Sequence, residues 1–194
     1  RAGGALPEAV LIAPTWGSGG LLETMGHDLI RSVVSTGRKV ILRPHPETII
    51  RQPKLVLSLA DAFADEANFV LAPDVSMDES FHESAVMISD WSGAAFEFSL
   101  GLERPVVYID VPKKILNPDF NILGINPVEV SFRSRLGKVL APADLTELPT
   151  LLEQLISSGT EVDIPFAREE LIFNVGQSAL AGGREVKALW DRYR

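Results

Sequence analysis

Short apolar runs alternate with longer amphipathic stretches from Ala9 to Ile109, and this alternation constrains the fold more than any other feature. The runs are rich in β-branched residues and are not broken by polar ones, which is typical of parallel strands covered on both faces by crossover helices. The predicted strands are Ala9–Ala13, Lys39–Leu42, Asn68–Leu71, Val86–Ser89 and Pro105–Ile109, with a weaker sixth at Lys138–Leu140.

The stretches between and after these strands have helical spacing. The predicted helices are Leu21–Thr36, Pro53–Ala64, a short one that opens at Asp78, Ser92–Leu100, Ala143–Ser158, Pro165–Phe173 and Gln177–Tyr193. The segment Val111–Val130 holds three prolines and three asparagines and is predicted to be a long surface loop. The sequence therefore predicts an α/β fold: a doubly wound, mostly parallel, Rossmann-like sheet with extra C-terminal helices and ligands outside the carboxyl ends of the strands.

Composition narrows the function classes. Of 194 residues, 46% are hydrophobic and 23% charged, which suits a single globular domain over residues 1–194. The net charge of −8 argues against binding to a nucleic acid backbone, and the lack of cysteine excludes disulfides and thiolate chemistry. No apolar run reaches the ~18 residues of a membrane-spanning helix. Because the chain starts at Arg1 and not at methionine, we expect it to be part of a longer protein.

The first predicted strand runs into the glycine-rich turn Pro14–Gly20 before its helix. Backbone N–H groups in such a turn, and the helix N-terminus after it, can hold an anion. Thr15, Trp16, Gly17 and Ser18 are thus candidate phosphate-binding residues. The spacing fits neither a dinucleotide fingerprint nor a P-loop, so a plain turn is the alternative.

The second strand ends in Arg43-Pro44-His45-Pro46. The two prolines fix two φ angles and remove two backbone donors, so the imidazole is held on a stiff turn. A guanidinium is suited to phosphate, and a histidine can give a proton or a hydrogen bond near neutral pH. Arg43 and His45 are therefore the candidate catalytic residues, and a turn without a function is the alternative.

The fourth strand leads into Ser92-Gly93-Ala94 at a predicted helix start. A serine hydroxyl and the first amides of a helix make a cradle for phosphate, whereas simple N-capping by Asp90 or Ser92 is the alternative. One turn later, Glu97 can accept hydrogen bonds from ribose hydroxyls or be a solvated helix charge.

Aromatic, histidine and acidic residues complete the candidate list. Trp16 and Trp91 follow strand ends, where each either flanks a nucleobase or fills the edge of the sheet. His27 and His82 have no matching ligand three or four residues further along the chain, and helix N-terminal bias explains the acidic group Asp74, Asp78, Glu79 and Glu83. We therefore predict no metal site.

Read in chain order, these motifs resemble the CDP-glycerol glycerophosphotransferase family of teichoic acid polymerases and primases. The resemblance covers Val10 to Pro112 and rests on Ala13–Trp16, Arg43–Pro46, Ile88–Gly93, Phe96–Phe98 and Arg104–Tyr108. It implies one half of a GT-B glycosyltransferase fold, namely the C-terminal domain that holds a nucleotide-activated donor. Within it, His45 and Arg43 would stabilise the donor diphosphate or take part in catalysis, and the helix start at Ser92 and Gly93 would bind phosphate.

The chain departs from the family pattern in four places. Gly93 stands in place of a second serine, Trp91 in place of the usual tyrosine, and Gly17 in place of a basic residue. The Trp-His-Gly motif of the N-terminal domain, thought to carry the base, occurs nowhere in the sequence. This chain alone is therefore expected to provide half of an active site.

The resemblance implies an enzyme that moves an alcohol phosphate from a CDP-activated donor to a polymer or lipid-linked acceptor during cell-envelope synthesis. It implies a nucleotide-activated donor as substrate with no cofactor, a missing N-terminal domain, and a cytoplasmic full-length protein that is peripheral at the inner face of the membrane. Three alternatives stay open at this point: a GT-B transferase that uses a UDP-sugar, a sugar-nucleotide epimerase, and a non-catalytic nucleotide-binding module.

Overall fold

A computed structural model describes residues 8–73, 77–115, 117, 119–124, 126–158 and 161–194. Its centre is one sheet of six strands, all of them parallel, in the order β3-β2-β1-β4-β5-β6. The strands are β1 Ala9–Ile12, β2 Val40–Leu42, β3 Phe69–Leu71, β4 Ser84–Ser89, β5 Val106–Ile109 and β6 Gly137–Leu140. The reversal of strand order between β1 and β4 makes this a doubly wound, Rossmann-like sheet, as predicted.

Helices connect the strands and form the C-terminal part. They are α1 Leu21–Val34, α2 Pro46–Arg51, α3 Pro53–Ala62, α4 Met77–Glu83, α5 Gly93–Leu102, α6 Val128–Ser131, α7 Arg133–Leu136, α8 Leu148–Ser158, α9 Ile164–Leu171 and α10 Ser178–Tyr193. Two 3₁₀ turns, Phe120–Leu123 and Pro142–Glu147, precede α6 and α8. No helix in the described ranges has the length and apolar character needed to span a bilayer.

Each face of the sheet carries its own apolar layer, because successive strand residues point to opposite faces. On one face Val10 and Ile12 pack with α1, α3 and α8, where Leu29 and Leu152 are fully buried. On the other face the buried residues come from the strands and from α4, α5 and α9: Leu11, Ile41, Met87, Tyr108, Phe81, Phe98, Ile164 and Ala167. Burial on both faces explains why the strands are continuous apolar runs.

The predicted strands are all present, and the differences concern short helices. The segment after His45 is not a stiff turn alone, because Pro46 starts the helix α2 and His45 caps it. Proline is well suited to the first helical position, where its missing N–H is not needed. The predicted loop Val111–Val130 contains a 3₁₀ turn and the start of α6, and the predicted helix Ala143–Ser158 begins with a 3₁₀ turn.

The strand register places three of the sequence motifs side by side. The Arg43 N–H donates to the Ile12 carbonyl at 2.9 Å, and the Ala13 N–H donates to the Ile88 carbonyl at 3.0 Å. The carboxyl ends of β2, β1 and β4 are therefore level, and neighbouring strands lie about 4.8 Å apart. The turns that follow these strands consequently share one edge of the sheet.

Candidate functional site

The turn after β1 is held by a carboxylate from the end of β4. Asp90 Oδ1 accepts the N–H of Thr15 at 2.7 Å and the N–H of its neighbour Trp91 at 2.7 Å. Asp90 is fully buried, and its Oδ2 atom has no hydrogen-bond partner among the described residues. Burial raises the pKa of Asp90, while the N–H groups of Thr15, Trp91 and Leu21 lower it. The N–H of Thr15 is thus already used within the chain.

The glycine-rich turn packs against the loop that follows β5. Gly17 has φ +123°, a value that L side chains rarely adopt. A Cβ atom at this position would lie 3.0 Å from Cε of Lys114, whose Nζ donates to the Trp16 carbonyl at 2.9 Å. Lys114 therefore occupies the space beside Gly17 and brings a positive charge to the turn, while Ser18 remains exposed.

Arg43 lies on the α5 side of the sheet with its guanidinium only partly satisfied. Its Cζ is 5.3 Å from the centre of the Phe81 ring, and its Nη1 is buried without a hydrogen-bond partner among the described residues. Burial lowers the pKa of Arg43, and the nearby charge of Glu97 opposes that effect. An arginine stays protonated in proteins, so a half-buried positive group whose Nη1 donor has no partner in the described residues is present at the end of β2.

His45 is the N-cap of α2. Its Nδ1 accepts the N–H of Glu47 at 3.1 Å, so in the neutral ring the proton is on Nε2. Burial lowers the pKa of His45 most strongly, Lys114 and Arg43 also lower it, and Glu47 raises it. His45 is therefore neutral near pH 7 and presents Nε2–H as a hydrogen-bond donor.

The N-terminus of α5 is open to solvent. Ser92 caps this helix, because its Oγ accepts the N–H of Ala94 at 3.3 Å. The N–H of Gly93 has no hydrogen bond within the described part of the chain, and a Cβ atom at Gly93 would meet nothing within 4 Å. Of the two predicted amide donors, the N–H of Ala94 is thus used by the cap. The N–H of Gly93 remains open at the positive end of the helix dipole.

The rings of Trp16 and Trp91, both at the carboxyl edge of the sheet, are contacted by lysine and arginine side chains. Lys114 Nζ lies 3.0 Å from the centre of the Trp16 ring, and Arg51 Cζ lies 5.1 Å from it. Trp16 is also next to His45, with ring centroids 6.1 Å apart. Arg133 Cζ lies 3.5 Å from the centre of the Trp91 ring and Lys113 Nζ lies 5.2 Å from it. A chain of net charge −8 therefore collects positive groups at the carboxyl edge of its sheet.

A pocket of about 380 Å³ opens next to this edge, between Trp91 and the loop that follows β5. The loop side of the pocket is lined by Lys113, Lys114, Phe120, Asn117, Asn121 and Asn126. This volume lies in the range of small-molecule sites, which combine apolar walls with a few polar groups. Lys114 lines the pocket and also contacts the turn at Trp16, so the pocket adjoins this turn.

Three residues of the candidate site could not be predicted from the sequence: Asp90, Lys114 and Arg133. In the sequence Asp90 is typical of a helix cap, and Lys114 and Arg133 have no local signal that links them to the edge of the sheet. Arg133 Nη2 pairs with Asp110 at 2.6 Å. Of the residues weighed against a metal site, Asp74 lies outside the described residues, and in the described part no group of three or more candidate ligands comes together.

No protein-family model matches this sequence, and no curated protein matches it either. Among solved structures, the chain is similar to the E. coli heptosyltransferase WaaC with ADP, at 15% identity over 80% of this chain and 45% of that one, with a TM-score of 0.46. It is also similar to Acinetobacter baumannii MurG, at 14% identity over 87% of this chain and 50% of that one, with a TM-score of 0.49. The chain spans about half the length of each. Similarity at this level leaves the function to be argued from the site.

Proposed function

We propose that this chain is the donor-binding domain of a transferase that uses a nucleotide-diphosphate-activated donor of the CDP-glycerol type in cell-envelope polysaccharide synthesis. The observation that supports it is the meeting of Arg43, His45, Lys114 and the open N-terminus of α5 at one edge of the sheet. Such a set of donors matches the oxygens of a diphosphate.

The diphosphate would lie across the ends of β2, β1 and β4. Arg43 offers a guanidinium with a free donor, and His45 offers Nε2–H. Gly93 offers a backbone N–H at the positive end of α5, and Lys114 adds a charge beside Gly17, where the resembled family has a basic residue. The N–H of Thr15 is excluded from this role because Asp90 already accepts it.

The nucleoside would occupy the neighbouring pocket. Trp91 and Phe120 offer aromatic surface to a base, and the amides of Asn117, Asn121 and Asn126 offer both donors and acceptors to its polar edge. Because Lys114 lines the pocket and also contacts Trp16, the pocket adjoins the diphosphate-binding groups, and the Lys114 ammonium would lie between the base and the phosphates.

In the proposed transfer, an acceptor hydroxyl oxygen forms a bond to the phosphorus that carries the glycerol, and the bond from that phosphorus to the bridging oxygen breaks. The electron pair of that bond goes to the leaving CMP, which gains negative charge. Groups that bind this developing charge more strongly than the ground state lower the barrier. Arg43, His45 and Lys114 are suited to this role.

The proton of the acceptor hydroxyl must go to a base. His45 does not fit that role in this structure, because its Nδ1 accepts the Glu47 N–H and its Nε2 carries the proton. We therefore assign the base, and the binding of the polymer or lipid-linked acceptor, to a further domain of the same protein.

Calorimetric titration with CDP-glycerol, CMP, UDP and UDP-N-acetylglucosamine tests the proposal, with Arg43→Ala and His45→Ala as variants and Arg31→Ala as a control on the exposed side of α1. Preference for cytidine ligands that is lost in both variants and kept in Arg31→Ala supports it. Preference for uridine ligands moves the assignment to sugar transfer. Equal binding by all four proteins contradicts the proposed site.

A further inference from the structure

Arg133, the first residue of α7, is a buried arginine that makes few hydrogen bonds. It is 7% exposed, and its Nη2 donates to Asp110 Oδ1 at 2.6 Å. Its Nε and Nη1 atoms are buried without a hydrogen-bond partner among the described residues. Unpartnered donors in a buried position destabilise a fold, and an apolar side chain of similar length would avoid that cost. Hydrogen bonding therefore does not account for an arginine at this position.

The close contact that Arg133 does make is with the ring of Trp91. The Cζ atom of Arg133 lies 3.5 Å from the centre of that ring. An atom this close to a ring centre lies over a face, because the edge atoms of the ring keep an in-plane neighbour farther away. A guanidinium is planar and weakly hydrated, so it stacks well on an aromatic face. Arg133 therefore covers one face of Trp91 and leaves the opposite face free of its own contact.

The indole of Trp91 is held at three points. Arg133 lies over one face, Nε1 donates to the Val111 carbonyl at 2.8 Å, and the backbone N–H donates to Asp90 Oδ1 at 2.7 Å. Arg133 is itself placed beside the fully buried Tyr108, whose ring centre lies 5.7 Å from Cζ of Arg133. The ring is thus fixed in one orientation before any ligand binds.

The indole, and not the guanidinium, faces the pocket of about 380 Å³. Trp91 is half-buried and lines this pocket, whereas Arg133 is buried and is not part of the pocket wall. The cation on the pocket side is Lys113, whose side chain is exposed and whose Nζ lies 5.2 Å from the ring centre. A flat ligand can replace a flexible, exposed lysine there. An aromatic ring stacks with any nucleobase, and a ring that is already fixed loses little entropy on binding.

We propose that Arg133 is a positioning residue for donor binding, which holds Trp91 as a one-sided stacking platform for the base of the nucleotide. This inference rests on the proposed function, because it takes the occupant of the pocket to be a nucleoside. Arg133 acts through Trp91 and touches no atom of the ligand. Its contribution is therefore the same for every base, and the choice between bases belongs to other residues of the pocket.

Calorimetric titration of the 194-residue chain with CMP, UMP and inorganic pyrophosphate tests this inference. CMP and UMP differ only in the polar edge of the base, and pyrophosphate has no base to stack. We expect Arg133→Met to weaken the binding of CMP and UMP equally, by about fivefold, and to leave pyrophosphate binding unchanged. Arg133→Lys, which keeps the charge without the planar group, weakens both nucleotides as well.

Arg135→Met is the matched control. It removes a neighbouring arginine that also stacks on an aromatic ring, since Cζ of Arg135 lies 4.6 Å from the centre of the Phe132 ring. Neither Arg135 nor Phe132 lines the pocket. We therefore expect this variant to bind all three ligands as the parent chain does. A loss in Arg135→Met as large as that in Arg133→Met would overturn the specific role of Arg133.

A double-mutant cycle with Trp91 shows whether Arg133 acts through the ring. Trp91→Ala removes the platform and weakens CMP binding about tenfold. In the Trp91→Ala chain, Arg133→Met then causes no further loss. An additive loss, full nucleotide binding by Arg133→Met or by Arg133→Lys, or an equal loss of pyrophosphate binding overturns the inference. A loss for CMP alone also overturns it, because that result means that Arg133 contacts the polar edge of the base.

Thermal unfolding of each variant separates these effects from misfolding. Arg133→Met removes two buried donors without partners, so we expect its Tm to stay near that of the parent chain. Arg133→Lys keeps a cation beside Asp110, so the comparison does not depend on one variant. A parent chain that binds neither nucleotide overturns the proposed function together with this inference. A parent chain that binds both, with Arg133→Met equal to it, overturns this inference alone.

Discussion

Asp90 Oδ1 accepts the backbone N–H of Thr15 at 2.7 Å, although the two residues are 75 positions apart in the chain. This bond ties the glycine-rich turn after β1 to the end of β4. The N–H of Thr15, one of the donors predicted for an external anion, is therefore already used within the chain, whereas Arg43, His45 and Gly93 keep open donors.

The first prediction concerns this bond. Asp90→Ala leaves the Thr15 and Trp91 N–H groups without their buried acceptor, which lowers the free energy of unfolding by about 1–3 kcal/mol. Asp90→Asn keeps an oxygen for both donors and removes a buried charge, so we expect its stability at neutral pH to stay within about 1 kcal/mol of the parent chain. Urea unfolding of the three proteins measures both values. An Asn variant as unstable as the Ala variant would show that the charge itself is required.

The second prediction separates the two roles of His45. His45→Ala removes both the α2 cap and the Nε2–H donor, and we expect a loss of about 1 kcal/mol in unfolding free energy together with weaker donor binding. His45→Asn keeps a capping oxygen, so it restores stability but not binding. Thermal unfolding and calorimetry on both variants provide the comparison. Full donor binding by His45→Asn would remove His45 from the site.

The third prediction is a pH dependence. Burial lowers the pKa of His45, so the folded chain favours the neutral ring and the unfolded chain binds the proton more readily. The stability due to His45 is present above the unfolded pKa of about 6.5 and is lost as the pH falls below it. The unfolding free energy of the parent chain should therefore fall toward acid more steeply than that of His45→Asn. Parallel curves between about pH 7 and 5 would contradict this titration.

The fourth prediction concerns Arg43. Methionine keeps an unbranched stem against Phe81 but removes the charge and the unpartnered Nη1 donor. We therefore expect Arg43→Met to fold with unchanged or higher stability, because removing a buried unsatisfied donor is not costly. Its affinity for a nucleotide diphosphate should fall about tenfold or more. Arg51→Met, which removes a cation near Trp16 and leaves Arg43 in place, is the matched control and tests whether general charge near the edge explains the loss.

Much of the fold follows from the sequence because its signals are local. Runs such as Ala9–Ile12 and Val106–Ile109 are apolar at every position, which marks strands buried on both faces, and their alternation with helices implies a parallel sheet. The short helix α2 was missed because Pro44 and Pro46 suggest a turn. Only the position of His45 as N-cap shows that Pro46 starts a helix.

The candidate site was predictable in part for the same reason. Arg43, His45, Ser92 and Gly93 follow predicted strands directly, so the rule that ligands lie at the carboxyl ends of parallel strands leads to them. Lys114 was not predictable, since it reaches the Trp16 carbonyl across 98 residues and nothing in its own neighbourhood indicates that contact.

By itself, the sequence determined the strands, most of the helices and the edge of the sheet where polar residues collect, because hydrophobic periodicity and proline or glycine act over a few residues. The tertiary structure alone decided which of those polar groups are still free. In the folded chain the Thr15 N–H donates to Asp90, and the Glu47 N–H donates to Nδ1 of His45. The side chain of Lys114 fills the space beside Gly17. Those assignments depend on which side chains meet after the strands align, and local pattern does not encode such distant contacts.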